Sequence, residues 1–239
     1  SSVNTRYSIG YLDPYFTIDG ISLGGDLFYR EVDAFDANLS RYETKEYGST
    51  ATFGLPISET NRISAGINYT RTELVVSQSS AQVLQDFVRD NGSEYDLLKL
   101  NIGFSYNTLN SRFLPDSGTR HRISGLISTP FLGESLEFYK INYDVTWFKD
   151  LYKDFILNLS GNVGYGDSYG NTSDLPFFEN FYAGGPKTVR GFEENTLGPR
   201  DDRNLPLGGD RRIVGNAEII LPVPFLSEYK NSVRVTGFI

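Results

Sequence analysis

Arg62-Ile63-Ser64-Ala65-Gly66-Ile67-Asn68-Tyr69-Thr70-Arg71 decides how this chain is read. Ile63, Ala65, Ile67 and Tyr69 fall on one side of an extended backbone, and Arg62, Ser64, Gly66, Asn68 and Thr70 on the other. Strict period-two alternation is the signature of a strand with one apolar face. The polar face is made of Ser, Asn, Thr and Gly rather than the Lys and Glu of a water-facing sheet. It suits a crowded or watery lumen.

The same pattern recurs outward from this stretch. Leu98, Leu100, Ile102, Phe104 and Tyr106 alternate with Lys99, Asn101, Gly103, Ser105 and Asn107. Ile141, Tyr143 and Val145 alternate with Asn142, Asp144 and Thr146, and Leu157, Leu159 and Val163 with Asn158, Ser160, Asn162 and Gly164. Ten strands are predicted, at about 3–12, 21–31, 43–54, 61–72, 95–108, 119–129, 137–148, 153–166, 212–221 and 231–239. Each is close to the ~9–11 residues that cross a bilayer at a tilt.

The connections alternate in length. Short, turn-rich links run from Asp13 to Gly20, Pro56 to Asn61, Pro115 to Gly118, Lys149 to Tyr152 and Pro222 to Asn231. Longer, more polar links run from Val32 to Tyr42, Thr72 to Glu94 and Pro130 to Glu134, and through a central stretch at about 166–211. Short turns at one end and long loops at the other are how outer-membrane barrels are built. Within the second long link, Val83, Leu84, Phe87 and Val88 have helical spacing. A short helix is therefore predicted over about 80–91, with Ser79 or Ser80 as N-cap and Gly92 past its end. It reads as a surface helix on the barrel mouth. Tyr15, Phe16, Phe113, Trp147, Phe148, Tyr152, Phe225 and Tyr229 gather near the short turns, as interfacial aromatics of a barrel do.

Composition agrees. The 239 residues are 39% hydrophobic and 14% aromatic, so aliphatic content is low for a soluble sandwich core. A barrel needs only its outer face to be apolar. No apolar run reaches the ~20 residues of a membrane helix. The net charge of -8 argues against a nucleic-acid partner, which calls for clustered Lys and Arg. With no Cys, disulfides, thiolate metal sites and Cys nucleophiles are excluded. Asp33/Asp36, Glu193/Glu194 and Asp201/Asp202 read as solvated outer-loop carboxylates, and neither metal nor cofactor is assigned. The first residues already read as strand, with no signal peptide before them, so the start of this sequence is not expected to be that of the gene product.

The central stretch is longer than ordinary connections, and loops of such length are functional or disordered. Phe177, Phe178, Phe181, Tyr182 and Phe192 are not the composition of a disordered linker. It is predicted to fold into the barrel, with Gly184 and Gly185 as its hinge. At its tip, Val189-Arg190-Gly191-Phe192 places a cation between two apolar anchors. A charge inside a barrel needs a partner. On the strand Ile213 to Leu221, Glu218 shares a face with Val214, Asn216 and Ile220, and a glutamate turned to lipid is disfavoured. Glu218 is the expected partner of Arg190, and the plainer alternative is an exposed loop arginine.

The run Phe178-Glu179-Asn180-Phe181-Tyr182-Ala183-Gly184-Gly185, then Val189-Arg190-Gly191-Phe192 and Asn195-Thr196-Leu197-Gly198-Pro199, resembles the inward-folded loop of the BamA family. These are the central subunits of the β-barrel assembly machinery of Gram-negative outer membranes. The Val-Arg-Gly-Phe tetrad resembles the hallmark of a wider superfamily that includes two-partner secretion transporters and organellar import barrels. Asp13 to Gly25 and Pro222-Val223-Pro224-Phe225 resemble the BamA family itself, and the similarity runs through nearly the whole chain.

The resemblance implies a transmembrane antiparallel up-and-down β-barrel of roughly sixteen strands, of which these ten are a middle section. The gate strands and the periplasmic POTRA domains are expected outside it. It implies that Arg190 docks on acidic wall residues, with Glu218 as one and a second just past Ile239. It implies a protein that folds and inserts outer-membrane proteins without covalent chemistry. Its partners would be unfolded outer-membrane proteins, accessory lipoproteins, periplasmic chaperones and membrane lipids. A polypeptide-secreting transporter of the same superfamily is the alternative. A self-contained ten-stranded barrel enzyme fits less well, because His121, the only histidine, lies next to a short turn rather than at the outer rim. A porin fits less well too, for want of opposed rows of basic and acidic residues.

Overall fold

In the computed structural model the described residues are 4–34, 39–130, 135–152, 155–222 and 235–238. Ten strands follow one another: β1 (Asn4–Asp13), β2 (Ser22–Asp33), β3 (Glu43–Pro56), β4 (Asn61–Val75), β5 (Glu94–Asn107), β6 (Gly118–Thr129), β7 (Phe138–Tyr152), β8 (Phe155–Ser168), β9 (Arg211–Leu221) and β10 (Val235–Phe238). They form a single sheet in sequence order, each pair antiparallel. Among the described residues β1 and β10 are its two edges.

The register turns the sequence alternation into two continuous faces. Leu55, Ile63, Phe104, Ile123, Tyr143, Val163 and Ile213 are successive Cα partners from β3 to β9. All seven are exposed. One residue along, Arg62, Ser105, Arg122, Asp144 and Asn162 are partners on the opposite face. A one-residue slip at any pair would exchange the faces, so the apolar row and the register specify each other. An exposed apolar band of this extent belongs against lipid rather than water. Towards the long loops the band gives way to Arg71, Glu73, Glu94 and Asp96, with Arg71 paired to Glu94 at 2.6 Å and to Asp96 at 3.7 Å.

At the short-turn end the face is aromatic. The His121 ring stacks on that of Tyr143 and is tilted to that of Tyr106, and its Nδ1 lies 2.7 Å from Tyr143 Oη. His121 thus sits on the outer wall near the start of β6, beside the short turn. Tyr15, Phe16, Phe113 and Tyr152 are exposed at the same end. Phe225 and Tyr229 lie outside the described residues.

Several strands outrun the expected ranges. β7 continues through Lys149 to Tyr152, where a turn was expected, with a register irregularity between Asp150 and Tyr152. Most of the Pro222–Asn231 and Pro130–Glu134 links lies outside the described residues.

At the long-loop end the strand extensions carry a small closed core. Tyr42, Leu74, Leu84, Tyr95, Leu97, Phe138, Leu175 and Phe177 are all buried there. Helix α1 (Gln82–Asn91) contributes Leu84. Its N-cap is Ala81, not Ser79 or Ser80, and no side chain of the helix's own segment caps it. Ser80 Oγ instead accepts from the Ser77 N–H at 3.0 Å. The Gln82 N–H donates to the Asp202 carboxylate, at 3.3 and 3.4 Å, so a residue distant in sequence meets the orphan donor. Gly92 follows at φ 86°, its N–H returning to the Val88 carbonyl at 2.8 Å.

Candidate functional site

The connection from β8 to β9, residues 169–210, packs on the polar face of the sheet. It is folded rather than irregular. Phe181 and Gly209 exchange both backbone hydrogen bonds, at 2.8 and 3.1 Å. The Leu197 N–H donates to Ala183 O, and the Leu207 N–H to Pro199 O, each at 3.0 Å. Gly184, Gly185 and Gly191 sit at φ 112°, 89° and 87°, where side chains other than glycine are strained. A Cβ on Gly184 would collide with the Glu193 carbonyl oxygen. Thr188 Oγ1 donates to Gly184 O at 2.7 Å and accepts from the Gly184 N–H at 2.9 Å. These contacts fold the chain sharply just before Val189.

Arg190 and Glu218 form an ion pair. Glu218 faces the polar side of β9 and is nearly buried, while Arg190 is partly exposed. The Asn158 amide of β8, the register partner of Glu218, donates to Glu218 Oε2 at 3.2 Å. On the other flank, Phe238 of β10 is also in register with Glu218, and the Arg190 guanidinium lies 4.8 Å from its ring centroid. A charge-assisted pair roofed by an aromatic ring is partly withdrawn from water, where such contacts are strongest. Phe192 does not anchor the tip, as the sequence led us to expect: it is 54% exposed, and Phe238 supplies the aromatic contact instead. Val189 is half-buried among Ala183, Leu197 and Val214. The position past Ile239, where a second acid was expected, lies beyond this sequence.

A second charged cluster escaped the sequence reading. Glu179, in a single 3-10 turn at Phe177–Glu179, meets Lys99 Nζ of β5 at 2.6 Å through Oε1 and Lys140 Nζ of β7 at 3.1 Å through Oε2. Lys140 also donates to the Glu179 carbonyl at 2.6 Å. All three side chains are at most 16% exposed. Burial pushes the Glu179 carboxyl up, but the two ammonium groups outweigh burial and hold it at about 2. Phe181 lies under Lys140 and Arg212, its centroid 4.7 Å from Lys140 Nζ and 5.4 Å from the Arg212 guanidinium. Arg212 of β9 donates to Tyr182 O at 3.0 Å and to Asn162 Oδ1 at 2.7 Å. The available signal is two long cations, Lys99 and Lys140, each the one Lys or Arg on the polar face of its predicted strand.

The outer limb of the loop reaches the long-loop core. Ser40 Oγ donates to Asp201 Oδ2 at 2.7 Å, and Arg203 Nε donates to Ser80 O at 3.2 Å. Asp201 is therefore a half-buried tie to the β2–β3 link, while Asp202 stays exposed as it reaches α1. Glu193 and Glu194 are exposed. Asp33 ends β2, and Asp36 lies outside the described residues. Among the described residues no group of three or more His, Asp or Glu is placed to hold a metal ion.

The sequence profile of the Omp85 superfamily domain matches residues 1–239. The chain belongs to the Omp85 superfamily. Within that superfamily it is similar over its whole length to the outer membrane protein assembly factor BamA of Neisseria meningitidis serogroup B. The two are 32% identical over 252 aligned residues, which make up 31% of that protein. BamA of Nitratidesulfovibrio vulgaris is 24% identical over 92% of this chain and 27% of its own length. This Omp85 chain thus spans about a third or less of the curated relatives it matches. The crystal structure of BamA from Haemophilus ducreyi lacking POTRA domains 1-3 superposes on 98% of the chain with a TM-score of 0.88 and 26% identity, using 48% of that structure. The ten-stranded sheet is therefore part of an antiparallel barrel of the BamA type.

Proposed function

We propose that this chain is the middle section of a barrel in a Gram-negative outer membrane, and that the whole protein folds and inserts β-barrel proteins there. The observation that carries the reading is the full-length similarity to proteins named as BamA assembly factors, in sequence and in fold. The apolar row from Leu55 to Ile213 supports a lipid-facing wall. The substrates are unfolded outer-membrane proteins, and accessory lipoproteins and periplasmic chaperones assist.

No covalent chemistry is assigned. Assembly of this kind works by templating: an edge strand offers unpaired N–H and C=O groups to an incoming strand, which then completes its own ladder. In this section the role is bracing. Val189, Arg190, Gly191 and Glu218 act as a latch, with Gly184 and Gly185 as the hinge, keeping loop and wall in one arrangement. The secretion-transporter alternative shares the tetrad, but no relative reported above is named as a transporter.

The test uses the full-length protein. Arg190→Ala and Glu218→Ala are each expected to lower the temperature at which the folded band is lost on semi-native gels, and to impair growth complementation in parallel. If both variants complement and resist heat like the parent, the latch is wrong. If complementation fails while the variant itself is inserted and as heat-modifiable as the parent, the defect lies in the assembly step.

A further inference from the structure

We propose that Glu179 is a second anchor of the loop, opposite in polarity to Arg190: a carboxylate carried by the loop into a socket built by Lys99 of β5 and Lys140 of β7. Arg212 of β9 completes the grip through the adjacent backbone at Tyr182. This anchoring does not depend on which substrate the barrel handles.

Three observations carry it. The socket cations come from alternate strands and converge on one short segment, Glu179–Tyr182, through two ion pairs, two backbone carbonyls and two cation–π contacts to Phe181. Lys99 and Lys140 both lie in a nearly buried setting. Without the carboxylate, two like charges would be left facing each other with little water, which costs far more than an exposed pair gains. The two anchors also have opposite sign. Arg190 finds an anion on β9, and Glu179 finds cations on β5 and β7. A loop inserted in the wrong place would set cation on cation or leave a carboxylate unpaired, so the pairing specifies position as well as attraction.

Ser128 provides a reporter. It is fully buried, in register with Lys99 and Phe138, and its Oγ has no hydrogen-bond partner among the described residues. Tyr169, at the start of the loop, donates to its carbonyl at 2.7 Å. Ser128→Cys is close to isosteric and breaks no hydrogen bond of the side chain, in a chain that has no other cysteine.

In the full-length protein, with cysteines elsewhere replaced, Ser128→Cys is treated with a small thiol-reactive maleimide in detergent. Heat-modifiable gel mobility confirms that the barrel is folded. Glu179→Gln keeps the volume and removes the charge, and is expected to raise the labelling rate roughly tenfold by favouring local opening. Glu179→Lys alone is expected to label at least as fast. Combining it with Lys99→Glu and Lys140→Glu restores protection. Protection unchanged in Glu179→Gln would overturn the proposal. So would a folded reversed triple variant that labels as fast as Glu179→Lys. If Arg190→Gln alone exposes the thiol, the loop has a single anchor and Glu179 is not one.

Discussion

Gly164 of β8 yields its side-chain space to the ring of Phe181: a Cβ there would stand 2.8 Å from the ring's Cε1. The aromatic ring that Lys140 and Arg212 hold thus rests directly on backbone. Glycine is required here for close approach, not for an unusual backbone angle. Gly164→Val is expected to displace Phe181 and destabilise the folded barrel by about 1–3 kcal/mol, as overpacking does. Thermal unfolding in detergent measures it. Phe181→Ala in the same chain should recover part of the loss, because the two changes share one contact. Equal additive losses would mean that ring and glycine do not interact.

The sheet was legible in the sequence, and the loop's second charged contact was not. Alternation around Ile63–Tyr69 fixes which side of β4 is apolar, and register then propagates that choice to every neighbour. The Arg190–Glu218 contact could be anticipated because both its members are conspicuous: one ends a glycine-flanked turn, the other is an acid in an apolar strand. Glu179 carries no such mark. Its partners are on strands 80 and 39 residues distant in sequence, and only the fold brings β5 and β7 under one loop turn. The contact that meets the first amide of α1 is hidden from the sequence for the same reason. Local serines were the obvious candidates, while the acceptor that reaches Gln82 is Asp202. β2, β4 and β8 outrun their alternating stretches where strands leave the lipid band and enter the outer core, whereas β7 outruns its own at the short-turn end.

Ile102 tests the assignment of faces. It lies mid-strand in β5 and is 65% exposed on the apolar side. Ile102→Arg is expected to destabilise the lipid-embedded barrel by about 2–4 kcal/mol, the cost of a cation near the bilayer midplane. Ser160→Lys, on the opposite face between Thr146 and Asn216, should cost under about 1 kcal/mol. Urea titration of protein folded into vesicles distinguishes them. The reverse order would put the loop-bearing side against lipid.

The helix in the outer core offers a local test. Asp202→Ala removes the acceptor for the Gln82 N–H and is expected to cost about 0.5 kcal/mol, near the low end of the capping range because the bond is long and exposed. Ser79→Ala should cost nothing by this route. Leu84→Ala empties a fully buried position and should cost about 2–5 kcal/mol within the outer core. Hydrogen exchange of the α1 amides reports all three. Faster exchange in Ser79→Ala than in Asp202→Ala would return the cap to the local serine.

Acid should release the loop through Glu179. Its carboxyl is held at about 2 in the folded protein, below the ordinary value of 4.5, chiefly because Lys99 and Lys140 overcome the opposing effect of burial. A depressed folded value means that the unfolded or undocked chain binds a proton first as pH falls. The stabilisation is therefore fully present above pH 4.5 and is lost progressively between 4.5 and about 2. Through the neutral range the anchor should be insensitive to pH. Protection of a thiol at position 128 is expected to be flat from pH 7 to 5 and to fall across the acid window, when labelling is carried out at each pH with a dipyridyl disulfide, which reacts with thiols in acid. Glu179→Gln has no proton to gain at that site, so its already faster labelling should change less over the same window. A transition centred near neutral pH would assign the loop's release to a different group. An acid transition unaltered by Glu179→Gln would rule out Glu179 as the group whose protonation releases the loop.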